Sequence, residues 1–195
     1  TLRRALVFGQ GESTAPIAAD MTHAPAEKLS MSATNATPPG MHEWQEQHLR
    51  RYLQSGGTEG HFYDFGPIND EGYQPICLIK HVGRKTGRTL ILPLIYGMVE
   101  GEIVIVASKG GSPTHPAWYL NIAAVDEVEV QVATQAFRAT WREPADAERQ
   151  RIWDQMVAIY PPYAEYQEST DRLIPLVLMK PVTAIPVFTE AELDR

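Results

Sequence analysis

The chain has 195 residues, 44% of them hydrophobic, which is enough to bury a substantial core as one domain without disulfide or metal staples. Its 17 Lys and Arg stand against 24 Asp and Glu, a formal net charge of -7, which repels a long phosphate backbone, and no RNA- or DNA-binding motif occurs. Nucleic acid is therefore excluded as a partner. The single cysteine, Cys77, forbids an internal disulfide and fits a reducing compartment, and no apolar run approaches the roughly 18 residues that cross a bilayer. The location read from this is cytoplasmic.

Residues 1–40 read as a flexible leader or a segment added in cloning. They are rich in Ala, Thr, Ser and Pro without period, and Met21, Met31 and Met41 each offer a start. Real periodicity begins at Met41. Trp44, His48, Leu49, Tyr52 and Leu53 share one face of a helix over 42–54 that ends at Ser55-Gly56-Gly57, while Glu43, Glu46, Arg50 and Arg51 lie elsewhere. The face docks on a core. A weak contact with the inner face of a membrane is the alternative, drawing on the Arg pair with Trp44 and Tyr52.

From Gln74 to Val106 the pattern predicts three strands with turns at Gly83–Gly87 and Glu100–Gly101. A short helix follows over Pro116–Ala123, then an alternating strand Glu127–Val132 and its hairpin partner Ala136–Trp141. Pro144 at a first helical position opens a helix over Ala145–Tyr160, and Ile174–Met179 is the last core strand. Residues 183–195 read as a tail. Consecutive hairpin strands with few helices predict a mainly β, α+β chain closed as a small antiparallel barrel, its domain covering 41–182.

Two turns carry the chemistry. Ser108-Lys109-Gly110-Gly111 lies between a strand and the Pro116 helix, so glycine N–H groups, an ammonium and a helix start can converge on an anion. The second, Gly83-Arg84-Lys85-Thr86-Gly87-Arg88, is also cationic. Lys80 to Gly111 holds five cations against two anions, a local +3 in an acidic chain, which points to a small anionic ligand. No Rossmann fingerprint or P-loop occurs, and six scattered His with one Cys in an apolar run give no metal site. His115 reads as a helix-start residue and Cys77 as a small core residue.

The order Gly83-Arg84-Lys85-Thr86-Gly87, Pro93-Leu94, Ser108-Lys109-Gly110-Gly111, Trp118-Tyr119-Leu120-Asn121, Tyr160-Pro161-Pro162-Tyr163, Tyr166-Gln167 and Thr170-Asp171-Arg172 with Ile174-Pro175 resembles the deazaflavin (coenzyme F-420)-dependent nitroreductase family, the split β-barrel reductases. The resemblance covers roughly Met41 to Val182. It departs at Val125-Asp126, where the family often has Asn-Pro. It implies an 8-hydroxy-5-deazaflavin cofactor with a phosphate and an oligoglutamate tail. Arg84, Lys85 and Lys109 match the tail-holding positions, Arg84 and Lys85 in a turn shared with Thr86 and Gly87. Ser108, Gly110 and Gly111 match positions near the phosphate and ring. Pro93, Trp118 and Asn121 match positions that shape the cleft and fix its loop.

The implied activity is that of an oxidoreductase moving a hydride from the reduced cofactor to quinones, nitroaromatics or α,β-unsaturated carbonyls. A proton must also reach the acceptor. Tyr160, Tyr163 and Tyr166 match the family's substrate-facing tyrosines, Tyr163 being expected to orient or protonate the acceptor, with Ser108 as another hydroxyl able to do so. Two other readings keep the site: an FMN-dependent reductase of the same fold, and a non-catalytic deazaflavin carrier. The oligomeric state is not legible.

Overall fold

The computed structural model describes residues 43–193, so the leader lies outside the described residues. In chain order the elements are α1 (Glu43–Gln54), β1 (Phe62–Asp64), α2 (Gly66–Asn69), β2 (Tyr73–Val82), β3 (Thr89–Val99), β4 (Glu102–Val106), α3 (Ala117–Ile122), β5 (Glu127–Val132), β6 (Gln135–Arg142), α4 (Asp146–Ile159), α5 (Pro162–Glu168) and β7 (Leu176–Ile185). All pairings are antiparallel, in the order β1-β2-β3-β4-β7-β6-β5. A further ladder from Cys77–Lys80 of β2 to Val132–Glu129 of β5 closes six of the strands into a barrel. Among the described residues no helix is long and apolar enough to cross a membrane.

The barrel buries both faces of its central strands. Ile103 and Ile105 of β4 point into an interior cluster with Cys77, Ile79, Val177 and Met179. Their neighbours Val104 and Val106 point outward under α4 and α5, with Ile152, Met156, Leu176 and Leu178. A third cluster lies under α1, where Leu49, Tyr52 and Leu53 meet Ile76, Leu78 and Ile91. Each such side chain contributes about 1.5–3 kcal/mol by leaving water. Cys77 is fully buried and free, and burial pushes its thiol pKa up.

Several expectations change here. The face of α1 that would rest on a membrane is the one packed on the barrel, while Arg50 and Arg51 face solvent in ion pairs with Glu46, Glu190 and Glu59. Helix α4 starts at Asp146 with Ala145 as its extended N-cap, so Pro144 sits one residue outside rather than at the first helical position. Residues 162–168 form a helix absent from the predicted elements; Pro162 at its N-terminus was the missed start signal. Strand β7 runs past Met179 to Ile185, its pairing with β6 shifting where Arg138 meets Thr183 and Ala139 meets Pro181. Val182 is the extra residue, bulged outward beside a proline that cannot donate to the ladder. Beyond it, Phe188 is 1% exposed and completes the cluster under α1.

Candidate functional site

The barrel is split beside β3. Its ladder with β4 spans only Tyr96–Val99, beginning at the pair Tyr96↔Ile105. In that register each pair sums to 201, so continuing it would set Pro93 opposite Ser108. Instead β4 ends at Val106 and the chain turns away. Pro93, buried mid-strand, sits where no second strand asks for its missing N–H. On that side the first half of β3 has no strand partner among the described residues, and the chain goes on from β4 as the 107–116 loop.

That loop is held in an unusual shape. Lys109, Gly110 and Gly111 all have positive φ, at 50°, 59° and 75°. A Cβ on Gly111 would come within 2.9 Å of the Tyr166 carbonyl oxygen and of Ser169, so only glycine lets the loop lie on α5. At Gly110 the same atom would meet nothing within 4 Å, so this side of the loop is open. Arg172 fastens the loop from below. Its Nε donates to the Ser112 carbonyl at 2.7 Å, and Nη2 donates to the carbonyls of Ser108 at 2.6 Å and Ala107 at 3.1 Å. Its Nη1 lies 3.3 Å from His115 Nδ1.

Helix α3 joins the two cationic turns. Trp118 and Ile122 plug the barrel end within the interior cluster, so Trp118 is a packing residue at 8% exposure. Asn121, 6% exposed, accepts at Oδ1 from the Arg84 backbone N–H at 3.2 Å and from Arg84 Nη1 at 3.3 Å. The Gly83–Arg88 turn is thereby fixed to the C-terminal end of the helix whose N-terminal end carries the Lys109 loop. Lys85, Thr86 and Gly87 stand exposed in the turn, and Thr86 accepts the Arg88 N–H.

Charge pairing leaves these cations without a carboxylate, as it leaves Arg149, Arg172 and Lys180. Among the described residues, carboxylates pair with Arg50, Arg51, Lys80, Arg138, Arg142 and Arg151, and with none of Arg84, Lys85, Arg88 or Lys109. Lys80 therefore leaves the cationic set, since Glu129 and Glu192 neutralise it at 2.5 and 2.7 Å. Among the described residues Lys109 Nζ donates to the neutral Thr114 hydroxyl alone, at 2.9 Å. Four unneutralised cations, three on the Gly83–Arg88 turn and Lys109 on the open glycine turn, suit an extended polyanion with a phosphate.

The tyrosines form a wall beside the loop. Ring centroids are 5.0 Å apart for Tyr160 and Tyr163 and 6.3 Å for Tyr163 and Tyr166. The Tyr160 hydroxyl accepts from Asn69 Nδ2 at 2.7 Å. Tyr163 is 5% exposed inside the cluster under α4, and burial, then the neighbouring tyrosines, pushes its phenol pKa well above the ordinary value. Burial does the same to Tyr160. Tyr166 is half-buried, as is Ser108.

The profile of the F420H(2)-dependent quinone reductase family matches residues 44–181. The chain belongs to this family. An F420H(2)-dependent quinone reductase of Mycobacterium tuberculosis (strain ATCC 25618 / H37Rv) is 36% identical over 149 residues, 70% of this chain and 95% of that protein. A solved F420-H2 dependent reductase, FDR-A, is 43% identical with a TM-score of 0.50, covering 54% of this chain and 94% of its own. A second solved structure, described as a domain-swapped dimer, is 38% identical with a TM-score of 0.53, covering 71% and 98%. The likeness to FDR-A agrees with the split barrel.

Within this F420H(2)-dependent family fold, the structure brings Arg84, Asn121, Trp118 and the 108–111 loop together around α3, and sets Tyr160 at the C-terminal cap of α4 beside Tyr163 and Tyr166 of α5. Sequence reasoning gave no role to Arg172, Asn69 or Tyr96. Arg172 carried a usable signal, an arginine two residues before a wholly apolar core strand.

Proposed function

We infer that the protein is an F420H(2)-dependent quinone reductase that holds its deazaflavin in the split between β3 and the 107–116 loop. The observation that carries this reading is the pair of unneutralised cationic loops tied across α3 by Arg84 and Asn121. Arg84, Lys85 and Lys109 hold the anionic tail in this reading, and the Ser108–Gly111 turn, braced by Arg172, takes the phosphate. When bound, the reduced cofactor supplies a hydride to an electron-poor acceptor. The chain's own residues bind, orient and exclude water. Tyr160, fixed by Asn69, and Tyr163 form a wall; a phenol made less acidic by burial acts there by shape. The half-buried hydroxyls of Tyr166 and Ser108 are the groups left to move a proton to the acceptor oxygen. Nitroaromatics and α,β-unsaturated carbonyls share the quinone's electron-poor character and extend the acceptor range in this reading. FMN draws no support from a family described by F420H(2).

Fluorescence titration with the deazaflavin and separately with FMN tests the cofactor, and absorbance assays with menadione test turnover. Tight deazaflavin binding with menadione-dependent reoxidation is expected. Tighter binding of FMN would remove the cofactor assignment, and deazaflavin binding without turnover across an acceptor panel would leave a carrier.

A further inference from the structure

The tyrosine wall takes one polar partner from outside α4 and α5. The connection from β1 to β2, residues 65–72, closes on itself. Asp64 Oδ1 accepts the Gly66 N–H at 2.9 Å, the Phe65 N–H donates to the Gly72 carbonyl at 2.7 Å, and Asp70, left-handed at φ 63°, ends α2 by donating its N–H to the Gly66 carbonyl. Phe65 anchors the connection in the cluster under α1, its ring centroid 5.7 Å from that of Tyr160. Held in this way, the connection presents Asn69 to the Tyr160 hydroxyl.

That contact has a direction. Asn69 Oδ1 faces the Glu71 N–H at 3.4 Å, which turns the amide so that Nδ2 donates to the Tyr160 oxygen at 2.7 Å. A phenol has one O–H to give. With Asn69 as a donor facing it, the Tyr160 proton turns to another acceptor, and Tyr166 supplies one, the two ring centroids lying 6.4 Å apart. Burial, then the hydrogen bond to Tyr166, raises the Tyr160 pKa, as befits the phenol that donates in that bond. The chain therefore runs one way, from Asn69 to Tyr160 and from Tyr160 to Tyr166.

The O–H left over belongs to Tyr166. Tyr166 is the half-buried member of the wall, and its backbone lies against the cradle loop, where a Cβ on Gly111 would come within 2.9 Å of the Tyr166 carbonyl oxygen. An oxygen that accepts a hydrogen bond makes its own O–H a stronger donor.

We propose that Asn69 is a positioning residue: by donating to Tyr160 it fixes the direction of the chain, so that the Tyr166 O–H is the donor offered to the acceptor oxygen. This role rests on the quinone-reductase reading and adds a residue to it. Arrival of the hydride leaves an electron pair on the acceptor oxygen. Tyr166 gives that oxygen its proton and takes one back from water, so each turnover consumes one hydride and one proton. Asn69 touches no reacting atom.

An isosteric change reverses the chain. At pH 7 the carboxylate of Asn69→Asp can only accept, so it keeps a hydrogen bond with Tyr160 but takes the Tyr160 proton, and Tyr166 then donates to Tyr160 instead of to the acceptor. With menadione and saturating reduced deazaflavin, kcat should fall about 10-fold or more in Asn69→Asp and about 10²-fold in Tyr166→Phe. Asn69→Ala leaves Tyr160 free to donate to Tyr166 and should cost no more than about three-fold. In the Tyr166→Phe background Asn69→Asp should add less than about two-fold, because both changes act on one hydroxyl. Deazaflavin dissociation constants should stay within about three-fold throughout. A mere tether predicts that Ala is worse than Asp, and a through-space effect of the new charge predicts the full loss again in the Tyr166→Phe background; either result would overturn the role. The chain is also read without turnover, in cofactor-free protein carrying 3-fluorotyrosine in place of Tyr166. Its fluorine resonance should move in Asn69→Asp, move in the same direction in Tyr160→Phe, which deletes the donated bond without adding charge, and hold in Asn69→Ala. A resonance indifferent to Tyr160→Phe would overturn the chain. The expected resonance pattern in a protein whose wild type does not oxidise reduced deazaflavin with menadione would support the chain while removing the reductase reading.

Discussion

Replacing Arg172 by Met keeps the length and apolar stem of the side chain and deletes its fork. Three donated bonds to the carbonyls of Ser112, Ser108 and Ala107 disappear, with distances of 2.7, 2.6 and 3.1 Å. Hydrogen bonds to a charged group are worth about 1.5–3 kcal/mol each, but they share one donor group and one loop, so they do not add. The loop is partly exposed, and water takes over some of the freed carbonyls. A net cost of about 2–3 kcal/mol follows, close to one such bond, and it falls on the loop because the three apolar clusters do not depend on it. Ordering the loop then draws on cofactor binding, and at 1.4 kcal/mol per decade the deazaflavin dissociation constant should rise about 30- to 150-fold. Fluorescence titration at fixed ionic strength measures this, and urea unfolding checks that the barrel stands. A dissociation constant within about three-fold of wild type in folded Arg172→Met would refute the bracing role.

Lys109→Ala and Arg84→Ala should each weaken the deazaflavin by about 1.5–3 kcal/mol, less in high salt; affinities equal to wild type in both would end the anion-cradle assignment. Tyr163→Phe keeps the buried ring and should hold turnover with menadione within about three-fold, whereas a lost general acid costs about 10²-fold or more. Steady-state kinetics at saturating reduced cofactor decide between these. His81 is 7% exposed with neither ring nitrogen partnered among the described residues, and burial lowers its pKa to about 4. The unfolded chain thus binds the proton first, so the cost of burying this ring is least above about pH 6.5 and grows as pH falls toward 4. His81→Leu should raise stability at pH 7 by about 1–3 kcal/mol and flatten that acid limb in urea melts; an unchanged acid limb would show that His81 does not titrate there.

The strands of the barrel were legible because β2 to β4 alternate with unmistakable turns, and because Glu127–Val132 shows a clean period of two. The cradle was legible for a different reason, that glycine beside lysine after a strand has few structural uses. What escaped depends on contacts distant in sequence. Nothing near Tyr163 shows that α4 will cover it, and nothing near Lys80 shows that Glu129 and Glu192 will neutralise it. Phe188 looked like part of a tail because its partners, Leu49 and Tyr52, lie more than a hundred residues earlier. Helix α5 was hidden by its prolines, which mark a turn as readily as a helix start.

Strands apolar on both faces have lost a safeguard. In a half-exposed strand, slipping by one residue drives polar groups inward and is rejected by solvation alone. In β4 the same slip would exchange Ile103 and Ile105 for Val104 and Val106, one apolar set for another. Correct alignment must come from the connections. Between β3 and β4 it comes from Glu100 and Gly101, whose φ values of 51° and 84° suit a two-residue hairpin turn with both residues left-handed. One residue inserted there would leave every strand as hydrophobic as before, yet it would turn the interior of the barrel outward and carry the Ser108 loop to the wrong side of the split.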